Sequence, residues 1–241
     1  MAEPRRPPLP PKRPEDAPPP PWATDPRGLL VSGPSSVKLA LTGGLASGKS
    51  TVAAVFEILG AARLDFDLFA REAVAPGGAA YGAAQEIFGP KCLLPDGTLD
   101  RAYVGRLAFK DPALRRRLEE AVHPETWRLM LLRLSEPNPR PVTVIEIPLL
   151  FEARLDPLFD RVLLTFASPD NQLRRLMFRD PKLRKSQAKR MIASQMPILE
   201  KLRRAKMVIN NDGPLSRAIY QAKDLWDRLT APPEAPPGAT P

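Results

Sequence analysis

Along this chain the spacing of apolar positions changes several times, and each change marks an element. Val37 to Leu41 is a short apolar run, then comes Thr42-Gly43-Gly44-Leu45-Ala46-Ser47-Gly48-Lys49-Ser50-Thr51, then Val52 to Leu59 with apolar residues at helical spacing up to Gly60. That order predicts strand, glycine loop and helix. Arg63 to Phe69 follows as a second extended segment carrying Asp65 and Asp67. Helical stretches broken at Pro76-Gly77-Gly78 and Gly89-Pro90 lead to a turn at Pro95-Asp96-Gly97. Two further helices are predicted over about Asp100 to Phe109 and Pro112 to Leu134, the second interrupted at Pro124. Val142 to Ile147 and Arg161 to Phe166 read as buried strands rich in β-branched and aliphatic residues. Pro169 to Arg179 and Ser186 to Gln195 read as helices, Met207 to Asn210 as a last short strand, and Leu215 to Leu229 as a closing helix.

Strands separated by helices imply an α/β fold in three layers, a parallel sheet covered on both faces. The long stretch between Asp67 and Pro141 predicts no strand, so residues of about 70–140 read as an inserted helical subdomain. Proline sets the outer limits. Twelve of the 31 prolines fall in residues 1–36 and five in residues 231–241, so both ends read as disordered proline-rich tails around a core of 37–230. Arg5, Pro8 and Pro11 fit the basic-x-x-Pro-x-x-Pro spacing of a segment that docks in an aromatic groove on a protein partner, with plain linker the favoured reading. No apolar run is long enough for a membrane span or a secretory signal, and Cys92 is the only cysteine. The expectation is a soluble, cytoplasmic protein without disulfides.

Charge changes the picture in one place. The formal net charge is +9, and the segment from Arg161 to Lys206 alone holds 13 Lys or Arg against three acids. Nucleic-acid readers of single strands interleave aromatics for stacking, and here only Phe166 and Phe178 are present. A solvated helical face and a site for small polyanions remain as readings.

The chemistry starts at Gly43-x-x-x-x-Gly48-Lys49-Ser50, the pattern of a phosphate-binding P-loop in its required context after a strand and before a helix. Glycines let N–H groups turn inward around phosphates, the helix N-terminus adds its dipole, Lys49 reaches the outer phosphates, and the Ser50 hydroxyl suits Mg²⁺. The chain therefore binds a nucleoside triphosphate. None of Asn138, Asn171, Asn210 and Asn211 precedes a lysine, so the guanine-reading Asn-Lys-x-Asp of signalling GTPases is absent. A hydroxyl-directed kinase needs a carboxylate near the second strand to orient the acceptor and another to hold the metal through water, and Asp65 and Asp67 stand there. On an extended segment they face opposite ways, leaving one as the base; the bland alternative makes Asp67 a helix cap. Arg175 and Arg179 share one helical face and, with Arg190, form a candidate lid over ATP. His123, the only histidine, precedes Pro124 within a helical region and reads as structural, and Cys92 as packing.

At this point the residues resemble those of the dephospho-coenzyme A kinase family from Val37 to about Leu229. Leu41 to Ser50 resembles its P-loop, and Leu64-Asp65-Phe66-Asp67 with Ala70-Arg71 its Asp-x-Asp and Ala-Arg. Pro76-Gly77, Phe88-Gly89, Asp96-Gly97, Leu118-Glu119 and His123-Pro124 fall in the family's order. Ile147-Pro148-Leu149-Leu150-Phe151-Glu152 resembles another of its signatures, and Arg175, Arg179, Arg190, Gln195 and Asn211-Asp212-Gly213 match its lid and last strand-loop. The resemblance implies a P-loop kinase fold with a helical substrate-binding insert and a basic lid of about 169–197. It implies ATP-dependent phosphorylation of the ribose 3′-hydroxyl of dephospho-coenzyme A, with small molecules rather than nucleic acid or membrane as partners. Asp67 becomes the candidate base with Asp65 its competitor, alongside Lys49 and Arg179. ATP falls to Gly44, Ala46, Ser47, Gly48, Lys49, Ser50, Thr51, Arg175 and Asn211, and the substrate and lid to Arg71, His123 and Arg190. Mg²⁺ falls to Ser50, with Asp65 or Glu146 acting through water. Four positions depart from the family's habit. Ala46 replaces a glycine, which requires φ below zero; Glu146 replaces an aspartate; Lys206 and Asn210 replace acids. The proline-rich arm has no counterpart.

Overall fold

The computed structural model describes residues 36–231. The expected tails and the docking segment at Arg5 to Pro11 lie outside the described residues.

Five parallel strands, β1 (Val37–Gly43), β2 (Ala62–Asp65), β3 (Val142–Glu146), β4 (Arg161–Phe166) and β5 (Met207–Asn210), form one sheet in the order β2-β3-β1-β4-β5. β1 and β3 are buried along most of their length, as continuous apolar runs in a covered parallel sheet should be. On one face lie α1 (Lys49–Ile58) and the closing helix α9 (Leu215–Thr230). They pack with the sheet in a cluster that includes Leu39, Leu41, Val52, Phe56, Val144, Leu163, Ile209, Ala218 and Ala222. Burying each large aliphatic or aromatic side chain there contributes about 1.5–3 kcal/mol. Phe56 meets Trp226 edge to face at 6.4 Å.

The register aligns the strand ends. Asp65 of β2 pairs with Glu146 of β3, Leu41 of β1 with the same Glu146, Gly43 with Thr165 of β4, and Phe166 with Asn210 of β5. All carboxyl ends therefore share one edge, and the order reverses at β1, where an open α/β sheet places its ligand. After β4 come α6 (Pro169–Arg179), α7 (Lys185–Ala193) and α8 (Ile198–Arg204). Ser168 starts α6 by accepting from the Asn171 N–H, with Pro169 in the first helical position.

The chain divides into two compact units. Among the described residues, one is the sheet unit of 36–67 and 132–231; the other is Leu68–Leu131. The second takes in most of α2 (Phe66–Ala73) and α5 (Pro112–Ser135), with α3 (Tyr81–Phe88) and α4 (Arg101–Lys110) entire. It closes on its own apolar cluster of Ala73, Val74, Ala84, Phe88, Cys92, Leu99, Val104 and Val122, so Cys92 is packing as expected.

Several sequence expectations need correction. α5 runs unbroken through Pro124, because the stripe Val122, Thr126, Trp127 and Met130 stays buried across the lost hydrogen bond. The second strand stops at Asp65, and Asp67 lies in the first turn of α2, so the two acids do not alternate along one strand. The cap is Asp65 rather than Asp67: its Oδ1 accepts the Asp67 N–H at 2.9 Å. α8 was not foreseen at all.

Candidate active site

The phosphate loop joins β1 to α1, and its shape is set by backbone contacts. Gly48 has φ 92°, and a Cβ there would collide with the Asn211 amide. At Gly43 a Cβ would sit 2.5 Å from Ser47 Oγ and 2.6 Å from the Thr165 carbonyl. At Gly44 it would strike Gln172, which is buried and donates to the Ala167 carbonyl at 2.8 Å. The loop closes on itself through Ser47 N–H to the Gly44 carbonyl at 3.2 Å. Helix α1 starts at Lys49; the Thr51 and Val52 N–H groups donate back to the Gly48 carbonyl at 3.1 Å, and those of Lys49 and Ser50, at its first two positions, are left for a ligand. Ala46 has φ 57°, so the condition that its φ stay below zero is not met; it holds a left-handed conformation that costs an L residue about 1–2 kcal/mol.

Lys49 turns back on the loop, donating to the carbonyls of Gly43 at 3.2 Å and Gly44 at 3.0 Å. Burial lowers its pKa to about 8, and the charge of Lys201 adds to that, against the carboxylates of Glu146, Asp67 and Glu152. Those four charges therefore act on Lys49. Ser50 at the start of α1 is exposed and donates to Glu146 Oε2 at 3.0 Å. Glu146, 4% exposed at the end of β3, also receives Arg63 Nε at 2.8 Å and Nη2 at 2.7 Å, both on Oε1. Burial lowers the Arg63 pKa, but the Glu146 and Glu57 carboxylates outweigh it and hold the guanidinium above its ordinary value. Arg63 escaped the sequence reading, since a strand arginine carries no motif. Among the described residues no group of three or more His, Cys, Asp or Glu side chains could hold a metal. The oxygen set of Ser50, Glu146 and neighbouring Asp65 fits a hard cation that keeps water and phosphate ligands, which suits Mg²⁺.

The basic segment splits into two kinds of cation. Arg175 is committed, its Nη1 donating to the Ser47 carbonyl at 3.3 Å and its Nη2 to the Asn211 carbonyl at 2.6 Å. Asn211 is buried and donates its own amide to the same Ser47 carbonyl at 2.8 Å. Both residues thus brace the loop from outside. Arg179 and Arg190 are exposed, and neither side chain makes a hydrogen bond or ion pair among the described residues. Lys201 on α8 is 0% exposed and paired with Glu152. It belongs to the segment whose charge read as a solvated face or a polyanion site, yet it is spent inside the protein, on Glu152 and the Pro148 carbonyl. Thr51 sits exposed in the first turn of α1. Asn210 forms a turn, accepting the Asp212 N–H at 3.0 Å, and Lys206 is exposed.

In the helical unit Arg71 is exposed on the last turn of α2. Burial, and next the charge of Arg71, hold Arg101 below its ordinary pKa, so these guanidiniums lie near each other. His123 is half-buried; burial lowers its pKa more than Glu119 raises it, which keeps it neutral at pH 7.

Comparison with known proteins covers the same residues. The family model for dephospho-CoA kinase matches residues 37–217. The dephospho-CoA kinase of Geobacter metallireducens is 43% identical over 190 residues, which are 78% of this chain and 94% of the relative. That of Moorella thermoacetica is 41% identical over 194 residues, 79% of this chain and 91% of its own. Among solved structures, TT1252 from Thermus thermophilus superposes with a TM-score of 0.71 at 34% identity, over 82% of this chain and all of that one. Dephospho-CoA kinase from Campylobacter jejuni shares the fold, with a TM-score of 0.61 at 23% identity over 80% of this chain and 96% of its own. The match runs unbroken through β1, the phosphate loop, the helical unit and the basic helices, and the chain belongs to the dephospho-CoA kinase family.

Proposed function

We propose that this chain performs the family's reaction, moving the γ-phosphoryl group of ATP to the ribose 3′-hydroxyl of dephospho-CoA in the last step of coenzyme A synthesis, with Asp67 as base. The observation that carries the assignment of roles is the shared edge of the sheet. The phosphate loop after β1, Glu146 ending β3 and Asp65 ending β2 meet there, and the charge of Asp67 acts on Lys49 from the first turn of α2. A base must lie within reach of the group that its cationic partner holds.

Asp67 accepts the proton of the 3′-hydroxyl as the new O–P bond forms. The bond between the γ-phosphorus and the β,γ-bridging oxygen breaks in line, its electron pair leaves on ADP, and the proton passes from Asp67 to solvent. Lys49 leaves the carbonyls of Gly43 and Gly44 for the phosphates, exchanging two neutral acceptors for a charged one. The first N–H groups of α1, with Gly44 and Ala46 to Thr51, take the α- and β-phosphates. Arg179 and Arg190 neutralise charge on the group in flight, while Arg175 and Asn211 keep the loop in shape. Mg²⁺ would be held by Ser50 and, through water, by Glu146 or Asp65, and when bound it neutralises charge on the β,γ-phosphates. Residues Leu68–Leu131, with Arg71 and His123, receive the pantetheine-bearing substrate.

The test is an ADP-release assay with Mg-ATP, comparing dephospho-CoA against adenosine, AMP and an acceptor-free blank, with the product weighed by mass spectrometry. Turnover on dephospho-CoA alone with coenzyme A as product is expected. Turnover only on another acceptor would discard the substrate assignment.

A further inference from the structure

Between α7 and α8 the chain makes a sequence of ties whose directions alternate. Gln195 Oε1 accepts the Leu45 N–H of the phosphate loop at 2.8 Å, and the next residue, Met196, turns its N–H onto Glu152 Oε1 at 2.9 Å. Glu152 lies in the segment after β3, and the same Oε1 takes Lys201 Nζ at 2.8 Å. Lys201 Nζ also donates to the Pro148 carbonyl at 2.9 Å, which in turn accepts Thr42 Oγ1 at 3.4 Å, one residue before the loop's first glycine. Thus one buried lysine and one carboxylate join the exit of the basic helices to the turn beyond β3 and, through the Pro148 carbonyl, to Thr42, while Gln195 beside them adds the tie to Leu45.

The arrangement is costly for a purely structural brace. Lys201 is 0% exposed, and burial holds its pKa below the ordinary value in spite of Glu152. Glu152 Oε2 is buried with no hydrogen-bond partner. A buried ion pair rarely gives more stability than apolar residues of the same volume. What this pair provides that a leucine pair would not is direction, because three donors converge on two fixed oxygens.

We propose that Glu152, Lys201 and Gln195 are positioning residues for ATP: the Glu152–Lys201 pair pins the strap of residues 195–201, and Gln195 thereby holds Leu45 and the phosphate loop in the ATP-binding shape. The proposal rests on the phosphate loop binding ATP as argued above. It ties the exit of the basic helices to loop order, so that displacement of the strap releases Leu45.

Two variants test it in the full chain. Gln195→Leu keeps the volume and the buried pair but removes the acceptor for Leu45; the double variant Glu152→Gln with Lys201→Met removes both charges together and leaves no orphaned ion. Measured are the melting temperature, the Kd of ATP by calorimetry, and kcat against KM for ATP. Each variant is expected to melt within a few degrees of the parent while Kd and KM for ATP rise about fivefold to tenfold, the effect of one or two lost hydrogen bonds, with kcat changing less than KM. A lower melting temperature with unchanged ATP affinity would mean that the pair only braces the fold, and would overturn the proposal. Loss of kcat with KM unchanged would overturn it as well. Parent protein that binds no ATP would instead overturn the functional reading on which the proposal stands, which the calorimetry alone separates.

Discussion

The cations around the phosphate loop and those on the open helices sit in opposite physical states, although Arg175 and Arg179 are only one helical turn apart. Lys49, Arg175 and Lys201 are enclosed and occupied, each donating to carbonyl groups or a carboxylate of the protein itself. Arg179 and Arg190 are in solvent with no partner among the described residues. An enclosed cation shapes the site before ATP arrives, and its removal should weaken loop and ligand together. A cation held in water costs nothing to keep and acts only when a phosphate comes near, so its removal should weaken the reaction and leave the fold alone.

The sharpest break of that contrast is Lys49→Ala, which should lower turnover by about a thousandfold or more and raise KM for ATP, since it removes the one enclosed cation able to switch from protein to phosphate. Steady-state ADP release measures it, and near-parent rates would remove Lys49 from the mechanism. Next is Asp67→Asn, expected to lower kcat by about 10²–10⁴ with little change in Kd for ATP. Its companion Asp65→Ala removes the cap on α2 and should cost about 1 kcal/mol of stability, read as a lower melting temperature. A reversal of the two outcomes would pass the base role to Asp65.

Arg179→Ala and Arg175→Ala set the open and enclosed cations side by side. Arg179→Ala should lower kcat/KM roughly tenfold to a hundredfold at unchanged melting temperature. Arg175→Ala should lower both, because it removes the donor to the Asn211 carbonyl and leaves the Ser47 carbonyl to the Asn211 amide alone. Equal thermal shifts in the pair would erase the distinction. A smaller effect follows from pH. Lys49 is charged below about 8 and neutral above, mainly because burial disfavours its charge. kcat/KM for ATP, which reports the free enzyme, should therefore fall by up to about tenfold per pH unit beyond 8. A flat profile to pH 10 would show that Lys49 keeps its proton.

How much of this was legible in the sequence depended on what kind of force set each feature. The strand ends and the phosphate loop were readable because β-branched runs and glycines act locally, and β4, β5 and α6 stand at the residues expected. The acids were seen but their geometry was not, since Leu64-Asp65-Phe66-Asp67 alternates like a strand while the Asp65 carboxylate starts a helix inside it. Pro124 was read as a break because the local rule is strong, and packing of Val122, Thr126, Trp127 and Met130 overrides it. Lys201 and Arg63 were invisible, for enclosure of a charge is decided by partners far away in sequence: Glu152 for Lys201 and Glu146 for Arg63. Composition counted these charges correctly and could not tell which were spoken for.

The smallest expected effect concerns the loop backbone. Ala46 holds φ 57°, where its Cβ costs about 1–2 kcal/mol relative to glycine. Glycine in turn costs about 0.4–1 kcal/mol through the entropy of the unfolded chain. The strain is the larger of the two, so Ala46→Gly should raise the melting temperature by roughly 1–4 °C, with ATP KM unchanged or lower. Ala46→Val should do the opposite and more strongly, because a β-branched residue adopts that conformation poorly. If Ala46→Gly instead lowers the melting temperature, the ties from Gln195, Arg175 and Asn211 leave so little freedom that strain at Ala46 is no longer the limiting term. In that event the enclosed cation Arg175 sets the loop's shape more than the loop's own backbone does, and Arg175→Ala should then show the larger thermal shift.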